Sequence, residues 1–471
     1  MPYYLSWLVV SSVLGITQLF SIGGFGVTPL EFSLVGVFFI AAYRWLWLGQ
    51  PIQLPRSYSI VGLVAILAAV TISAAAVALG GSAPVVTQTL KTYAHFIYLW
   101  MVGLVFLCLP ISADDWIRAL RVHFTVATVV MIYGLYQLPA RVFDWPLAWI
   151  DISNVSFTRG LGDVEEVGQI ALKFQNFYRA TSIFSEPSSL SGYATATLVM
   201  LIVPYFRGTA SIVRQRWWFW TLIILSSLSI FLAFSMTGLL LLGAALIGMV
   251  ALYPRESARR IAIVGLFSMM FVGVADRAAE AVTNISVIEL FGQRLSSYVS
   301  GAAADDELGT IAGDSFSQRL QDYQTAFTAW EDAPITGVGP GSFAESAAGR
   351  RYSQPFLSTL IGSVLVEFGL LGFVLIIGGL VGFLINALMV ERRWTQRYRG
   401  TDCPEEQLAS FIPFRWLLIV LTTVTGNFLI TPSFWFDVAT LVTMQVAVMR
   451  TMGGTPVVEF SLVRRRRGYP S

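Results

Sequence analysis

The residues best suited to chemistry stand in a short loop, 178–188, which reads YRATSIFSEPS. Arg179 and Glu186 lie there at the edge of an uninterrupted apolar stretch that begins at about Ser189. A cation and a carboxylate next to a membrane span are costly unless they have a partner or a function. Arginine offers a planar, permanently charged fork for phosphate oxygens, and glutamate is able to act as a general base. The loop is therefore the first candidate for an active site.

Both charged residues of this loop also have a structural explanation. Arg179 could reach lipid headgroups as a snorkelling side chain. Glu186 precedes Pro187, which favours the first turn of a helix, so its carboxylate could face the positive end of the helix dipole. The polar neighbours are candidates for substrate contacts: Tyr178, Ser182 and Ser188.

A second polar segment, 277–355, carries the other candidate arginine. In Ser317–Trp330 the apolar residues recur at spacings of three and four, which predicts an amphipathic helix on a membrane or protein surface. Arg319 lies on this helix, with Gln318 and Tyr323 as possible substrate contacts. The stretch Ser300–Asp314 before it reads as flexible.

A glycine-rich turn follows the amphipathic helix and contains Gly339 and Gly341. Successive backbone N–H groups in such a turn are able to hold phosphate. The turn lacks the GK[ST] ending of a nucleotide-binding loop, so it could equally be a tight turn without a ligand.

The elements that must position these residues are membrane helices. The chain has 471 residues, of which 55% are hydrophobic and only 12% charged, with a mean hydropathy of +0.68. Soluble domains carry about 25% charged residues. Apolar runs of about twenty residues recur along the chain, which predicts an all-α polytopic integral membrane protein. About twelve spans are expected: 4–22, 29–48, 58–79, 92–110, 116–138, 189–206, 217–235, 237–253, 260–276, 356–390, 412–431 and 434–450.

The distribution of arginines predicts the orientation of these spans. Arginine-rich short loops should face the cytoplasm, and alternating spans bring these loops to one side with both termini inside. The predicted division is helices 1–5 in 1–138, a first outer loop in 139–188, helices 6–9 in 189–276, a second outer loop in 277–355, helices 10–12 in 356–450, and a basic cytoplasmic tail in 451–471. Lys91, at the outer end of its span, is a further candidate for substrate binding.

The sequence gives little support to metal or cofactor chemistry. Only two cysteines and two histidines occur, too few for a Cys-rich or His-rich metal site. We expect no metal, no cofactor and no nucleic-acid partner. Glu367 stands inside an apolar stretch, where a carboxylate needs a partner, and it is a second candidate for a catalytic base.

Three segments resemble the O-antigen polymerase and O-antigen ligase superfamily. Arg179–Ser188 is similar to its R-x-x-(G/S)-x-F-x-E-P motif. Ser317–Trp330 followed by Pro334–Phe343 resembles its arginine-bearing outer helix and P-I-x-G-x-G-x-G-x-F turn. Glu367–Gly372 resembles its E-x-G-L-L-G helix. The twelve-span arrangement agrees with this family over the whole chain.

The resemblance implies a metal-independent glycosyltransferase of GT-C-like architecture in the bacterial inner membrane, with its active site on the periplasmic side. Its substrate would be an undecaprenyl-diphosphate-linked oligosaccharide. Its partners would be membrane lipid and a possible chain-length-regulating co-polymerase. Arg179 and Arg319 would neutralise the departing diphosphate, and the base would be Glu186 or Glu367, unless a dissociative mechanism makes a strong base unnecessary.

One departure from the family distinguishes its branches. Ligases carry a His-Asn pair about nine residues before the conserved glutamate, and here Ser358 and Thr359 occupy that place. This favours a polymerase of repeat units over a ligase that moves a glycan to another acceptor. A transporter of lipid-linked sugars is a third alternative, but it would place ionisable residues in the middle of several spans, whereas the polar residues here gather in two outer segments.

Overall fold

A computed structural model of the protein describes residues 2–22, 25–55, 57–154, 169, 173–174, 177–209, 211–300, 314–352, 357–398, 400–453 and 457–460. These residues form fifteen α-helices. The helices are α1 Pro2–Ser12, α2 Pro29–Ala42 with a π-turn Tyr43–Trp47, α3 Tyr58–Gly80, α4 Ala83–Cys108, α5 Ala113–Val142, α6 Pro187–Arg207, α7 Arg216–Leu232, α8 Met236–Leu252, α9 Pro254–Thr283, α10 Val287–Ser300, α11 Asp314–Trp330, α12 Ala347–Tyr352, α13 Leu360–Tyr398, α14 Pro404–Thr422 and α15 Pro432–Thr451.

Short antiparallel strand pairs complete the described structure. They are β1 Phe20–Ile22 with β2 Phe25–Val27, β3 Ile52–Pro55 with β6 Val457–Phe460, and β4 Lys173–Phe174 with β5 Phe177–Tyr178. The pairing of β3 with β6 brings the segment before α3 next to the segment after α15.

The protein is an integral membrane protein with a mainly helical fold, as predicted. Eight helices are long and apolar enough to cross a membrane, and α7 and α8 are shorter apolar helices. A helix lies at each of the twelve expected spans. The first expected span, 4–22, is wrong in its extent, because α1 ends at Ser12 and a strand pair follows. Eleven residues rise about 16 Å, roughly half of a bilayer core. The count of twelve crossings therefore stays a prediction.

The centre of the bundle is occupied by α6 and α15. In each of them 72% of the apolar window is buried within the protein, against 11–44% in the other six candidate spans. Helix α6 packs against α7, α8 and α14, and α15 packs against α4 and α14. Polar groups on these two helices are therefore enclosed by protein.

The two ends of the bundle differ in charge. We call the end where α6 begins the motif end and the end where it finishes, at Arg207, the basic end. Arg207 lies 3.5 Å from Glu391 near the end of α13, and Arg260 donates to the carbonyl of Tyr205. Arg121, early in α5, donates to the carbonyl of Ile212. These arginines share one end of the bundle, and the side of the membrane that this end faces stays a prediction.

The segment expected to be the second outer loop, 277–355, contains the end of α9 and the helices α10, α11 and α12. The predicted amphipathic helix is confirmed as α11, which starts three residues earlier, at Asp314. Most of the acidic part of the first outer loop (155–168), nearly all of the stretch expected to be flexible (301–313) and the end of the basic tail (461–471) lie outside the described residues.

Candidate functional site

The motif loop, 178–188, lies against the connection between α7 and α8. The N–H of Ala180 donates to the carbonyl of Leu232 at 3.1 Å, and Nε of Arg179 donates to the carbonyl of Ala233 at 2.9 Å. Arg179 is only 8% exposed. The arginine is therefore buried beneath the loop, where the snorkelling explanation does not apply.

A second buried arginine, Arg141 near the end of α5, holds the motif loop in place. Its guanidinium donates to the carbonyl of Arg179 at 2.6 Å, to Oε1 of Gln169 at 2.8 Å and to Oγ1 of Thr181 at 2.6 Å. It also stacks over the Trp149 ring, 4.3 Å from the centroid. Charged donors make hydrogen bonds about twice as strong as neutral ones, so Arg141 fixes the backbone of the loop.

The sequence analysis did not single out Arg141. A signal for it existed, since the predicted topology puts Arg141 in the first outer loop, where the positive-inside rule leaves few arginines. Arg141 is 6% exposed. An arginine that departs from the charge rule and is buried needs hydrogen-bond partners, and the loop supplies them.

Ser182 is a structural residue of the loop. Its φ is 54°, and its buried hydroxyl donates to the carbonyl of Val130 at 2.6 Å. Its own carbonyl accepts from the amides of Gln137 at 3.1 Å and Gln169 at 2.6 Å. The hydroxyl is fully engaged in this packing, which explains Ser182 without a substrate.

Glu186 presents its carboxylate at the start of α6. It occupies the N-cap position, yet its side chain makes no capping hydrogen bond. The side chain is exposed and accepts from the hydroxyl of Ser188 at 2.7 Å. The other predicted contact, Tyr178, packs edge-on against Trp149 with 5.5 Å between the ring centroids. Glu186 is thus the accessible carboxylate of the motif loop.

The glycine turn meets α13 where that helix is broken. At Gly369 the backbone has φ 65° and ψ −171°. The N–H of Gly339 donates to the carbonyl of Glu367 at 3.0 Å. The N–H of Gly341 donates to Oε2 of Glu367 at 2.9 Å. The first N–H satisfies a carbonyl at the helix break and the second binds the glutamate side chain, so neither is directed at a phosphate.

Glu367 therefore finds its hydrogen-bond partner in the glycine turn, at Gly341. It is 9% exposed, and its carbonyl also accepts from Oγ of Ser73 at 2.7 Å. On the other side of the turn, Thr89 of α4 donates to Oγ of Ser342 at 3.3 Å. Lys91, two residues along α4, is exposed.

The arginine-bearing helix α11 is fastened to the start of α13 and to the end of α14. Arg319 and Gln318 lie on its first turns, and their side chains are outside the described residues. Asp322, which is buried, accepts from the N–H of Ser358 at 3.2 Å and from its hydroxyl. The hydroxyl of Tyr323 donates to the carbonyl of Val424 at 3.0 Å.

The structure thus arranges the predicted residues in two groups. The first is the motif loop with Tyr178, Arg179, Ser182, Glu186 and Ser188, held by Arg141. The second joins α11, the glycine turn and α13, and contains Gln318, Arg319, Tyr323, Gly339, Gly341 and Glu367, with Lys91 on the adjoining α4. Within the described ranges, no three His, Cys, Asp or Glu side chains are placed to hold a metal ion.

A sequence model of the family described as O-antigen ligase matches residues 221–377. The matched segment runs from α7 to the first part of α13 and includes the residues of the second group except Lys91. The motif loop precedes it. No curated protein matches the chain.

Proposed function

We propose that this protein, a member of the O-antigen ligase and polymerase superfamily, joins undecaprenyl-diphosphate-linked oligosaccharide repeat units on the outer face of the bacterial inner membrane. The acceptor hydroxyl attacks the anomeric carbon of the donor glycan, and the bond from that carbon to the diphosphate oxygen breaks. The diphosphate-lipid leaves with the bonding electrons, and the acceptor proton passes to a base.

One observation carries this proposal. The family match covers α11, the glycine turn and the broken helix α13, and contacts join these elements into one unit. Asp322 binds Ser358, and Gly341 binds Glu367. The arginine helix is thereby fixed relative to the turn and the glutamate, which is the arrangement a preorganised site requires.

The two arginines neutralise the charge that develops on the departing diphosphate. Arg319 is on the outer helix α11, and Arg179 is beneath the motif loop. A buried guanidinium is screened by water less than an exposed one, so its charge acts more strongly at a given distance. Arg141 holds the loop that carries Arg179. No metal is needed where two guanidinium groups supply this stabilisation.

The structure favours Glu186 over Glu367 as the base. Glu186 is exposed on the loop that carries Arg179, whereas Glu367 is buried and one of its oxygens accepts from Gly341. A base must come within hydrogen-bond distance of the acceptor hydroxyl, and an exposed carboxylate meets this condition with less rearrangement.

The polymerase branch is supported by Ser358, which stands where ligases of the family carry histidine. Its hydroxyl donates to Asp322, and a serine hydroxyl is far less basic than an imidazole, so it does not take the acceptor proton as a histidine would. Transfer to a different acceptor, as in a ligase, is the alternative. One feature, the broken helix α13, is also found in transporters. Here, however, the backbone groups freed by the break form hydrogen bonds with Pro334 and Gly339 and do not line a substrate pathway.

A transfer assay tests the proposal. The full-length protein in lipid nanodiscs is mixed with undecaprenyl-diphosphate-linked oligosaccharide in the presence of EDTA, and the products are separated on a gel. We expect a ladder of repeat units, and we expect Arg179→Ala and Arg319→Ala each to lower the rate by roughly 10²–10³-fold, the usual loss for one charge-stabilising group.

The matched control for these variants is Arg277→Ala, which removes an exposed arginine paired with Glu280. We expect it to keep the wild-type rate. Wild-type product from both Arg179→Ala and Arg319→Ala would contradict the roles given to these arginines. A single transfer in place of a ladder would favour the ligase alternative.

A further inference from the structure

An ion pair lies inside the bundle, apart from both groups of site residues. Nη2 of Arg415 on α14 is 3.0 Å from Oδ2 of Asp437 on α15. Asp437 comes little more than one turn after the start of α15 at Pro432, so the pair lies below the motif end. Charges within a membrane bundle are costly and usually mark a functional site.

The ion pair has hydrogen-bond donors and acceptors that no described residue satisfies. Among the described residues, Arg415 donates one hydrogen bond, from Nη2 to Asp437, although a guanidinium has five N–H donors. Among the same residues, Oδ1 of Asp437 accepts none. The Asp437 side chain is 43% exposed, while Phe436 and Val438 on either side of it are buried. The carboxylate therefore opens into a space.

Two hydroxyl groups on α6 and α15, the helices packed against α14, also lack partners. Among the described residues, Oη of Tyr193 on α6 and Oγ1 of Thr440 on α15 are buried and make no hydrogen bond. Thr440 follows Asp437 by three residues and shares its helix face. Tyr193 lies on α6, which packs against α14, the helix that carries Arg415. A buried unpaired hydroxyl costs about 1–3 kcal/mol, so a polar ligand is expected at this place.

The helices that carry Tyr193 and Asp437 lie in the interior of the bundle. Both α6 and α15 are enclosed on most of their surface. The Tyr193 ring lies 5.4 Å from the ring of Phe184 in the motif loop and 5.2 Å from that of His123. We call Tyr193, Arg415, Asp437 and Thr440 the inner cluster. Its member Tyr193 contacts the motif loop at Phe184.

We propose that the inner cluster is a saccharide-binding site, which holds hydroxyl groups of the glycan while the diphosphate remains at the motif loop. The proposal rests on the proposed function. Sugar hydroxyls both donate and accept, and the cluster offers an open carboxylate oxygen, guanidinium donors and two hydroxyls. Arg415 and Asp437 cancel in charge, so the cluster does not select a bare cation or anion. The rings of Tyr193 and Phe184 supply apolar faces for the sugar ring.

Binding by the full-length protein in nanodiscs tests this proposal. The probes are bare undecaprenyl diphosphate and the undecaprenyl-diphosphate-linked oligosaccharides extracted from cells that make the protein, and binding is read by native mass spectrometry. For Tyr193→Phe we expect roughly fivefold weaker binding of the glycan-bearing lipid, the loss of one neutral hydrogen bond. Asp437→Asn should weaken it roughly 10- to 100-fold, because a charged acceptor is lost. Bare undecaprenyl diphosphate should bind both variants as it binds the wild type.

Thermal unfolding separates this role from a structural one. Tyr193→Phe removes a hydroxyl that stabilises nothing, so the unfolding temperature should stay the same or rise while glycan binding falls. Thr443→Val is the matched control, because the Thr443 hydroxyl is satisfied by the carbonyls of Ala439 and Thr440 in its own helix. It should bind both lipids as the wild type does.

The outcomes distinguish the two proposals. Wild-type binding of the glycan-bearing lipid by Tyr193→Phe and Asp437→Asn would mean that water alone fills the space, and would overturn the saccharide site while the proposed function stands. If Asp437→Asn does not fold, Tyr193→Phe decides alone. Failure of the wild type to bind undecaprenyl diphosphate better than undecaprenol would overturn the proposed function itself.

Discussion

The junction between the glycine turn and α13 should be highly sensitive to a single methyl group at Gly369. With φ 65° and ψ −171° this position is suited almost only to glycine, and another residue there costs about 1–3 kcal/mol in backbone strain. A Cβ at Gly369 would also overlap the carbonyl of Ile335. The turn would have to move away from the helix.

This movement would break the hydrogen bonds across the junction. The N–H of Leu370 donates to the carbonyl of Pro334 at 2.9 Å, and that of Leu371 donates to the carbonyl of Ile335 at 3.3 Å. Each contributes about 0.5–1.5 kcal/mol. Strain and two lost bonds together give a destabilisation by Gly369→Ala of about 2–6 kcal/mol. Glu367 would lose its position as well, so polysaccharide production should fall.

The assay is thermal unfolding of the purified protein in detergent, together with the polysaccharide chain length in cells. Gly378→Ala is the matched control on the same helix, because a Cβ there meets nothing within 4 Å. Alanine favours a helix over glycine by about 1 kcal/mol, so Gly378→Ala should unfold at the wild-type temperature or above. An unfolding temperature for Gly369→Ala equal to that of the wild type would refute this reasoning.

Two further predictions concern buried arginines. Arg141→Lys keeps the charge but loses the fork that binds four acceptors at once. We therefore expect repeat-unit transfer to fall at least tenfold in the nanodisc assay although Arg179 is intact. Wild-type transfer by this variant would show that the loop needs only a charge. At the basic end, Arg207→Leu leaves Glu391 buried without its guanidinium and should cost about 3–5 kcal/mol of stability. Arg207→Leu combined with Glu391→Leu should unfold at a higher temperature than Arg207→Leu alone, and the reverse order would contradict the ion-pair explanation.

Much of the helical arrangement could be predicted because each span is encoded locally. An apolar run long enough to cross the membrane must form a helix there, since no water satisfies its backbone. The runs at 58–79 and 189–206 correspond to α3 and α6 within two residues at each end. The predicted extent of the first span was wrong because its apolar residues continue past Ser12 into a strand pair. Hydropathy does not distinguish a strand from a helix over so few residues.

The roles of the polar residues were less predictable, because they depend on which backbone groups need partners after folding. From the sequence, the glycine turn could be either a phosphate-binding turn or a tight turn without a ligand. The break in α13 decided this, because it frees the carbonyl of Glu367 and the N–H of Leu371. The carbonyl accepts from the N–H of Gly339, and the N–H donates to the carbonyl of Ile335. The break itself has no sequence signal beyond a glycine in an apolar helix, a residue that is common in membrane spans.

The sequence by itself determined that the protein is a polytopic membrane protein, that Arg179, Glu186 and Arg319 stand in polar segments between its helices, and which family those segments resemble. These conclusions follow from composition, from the spacing of apolar residues and from short motifs, all of which are local. Only the tertiary structure decided that Arg141 supports the motif loop, that Glu367 is held by Gly341, and that Arg415 and Asp437 meet. Hydrogen bonds and charge pairs within a membrane bundle join residues far apart in the chain, and their partners are settled when the helices pack.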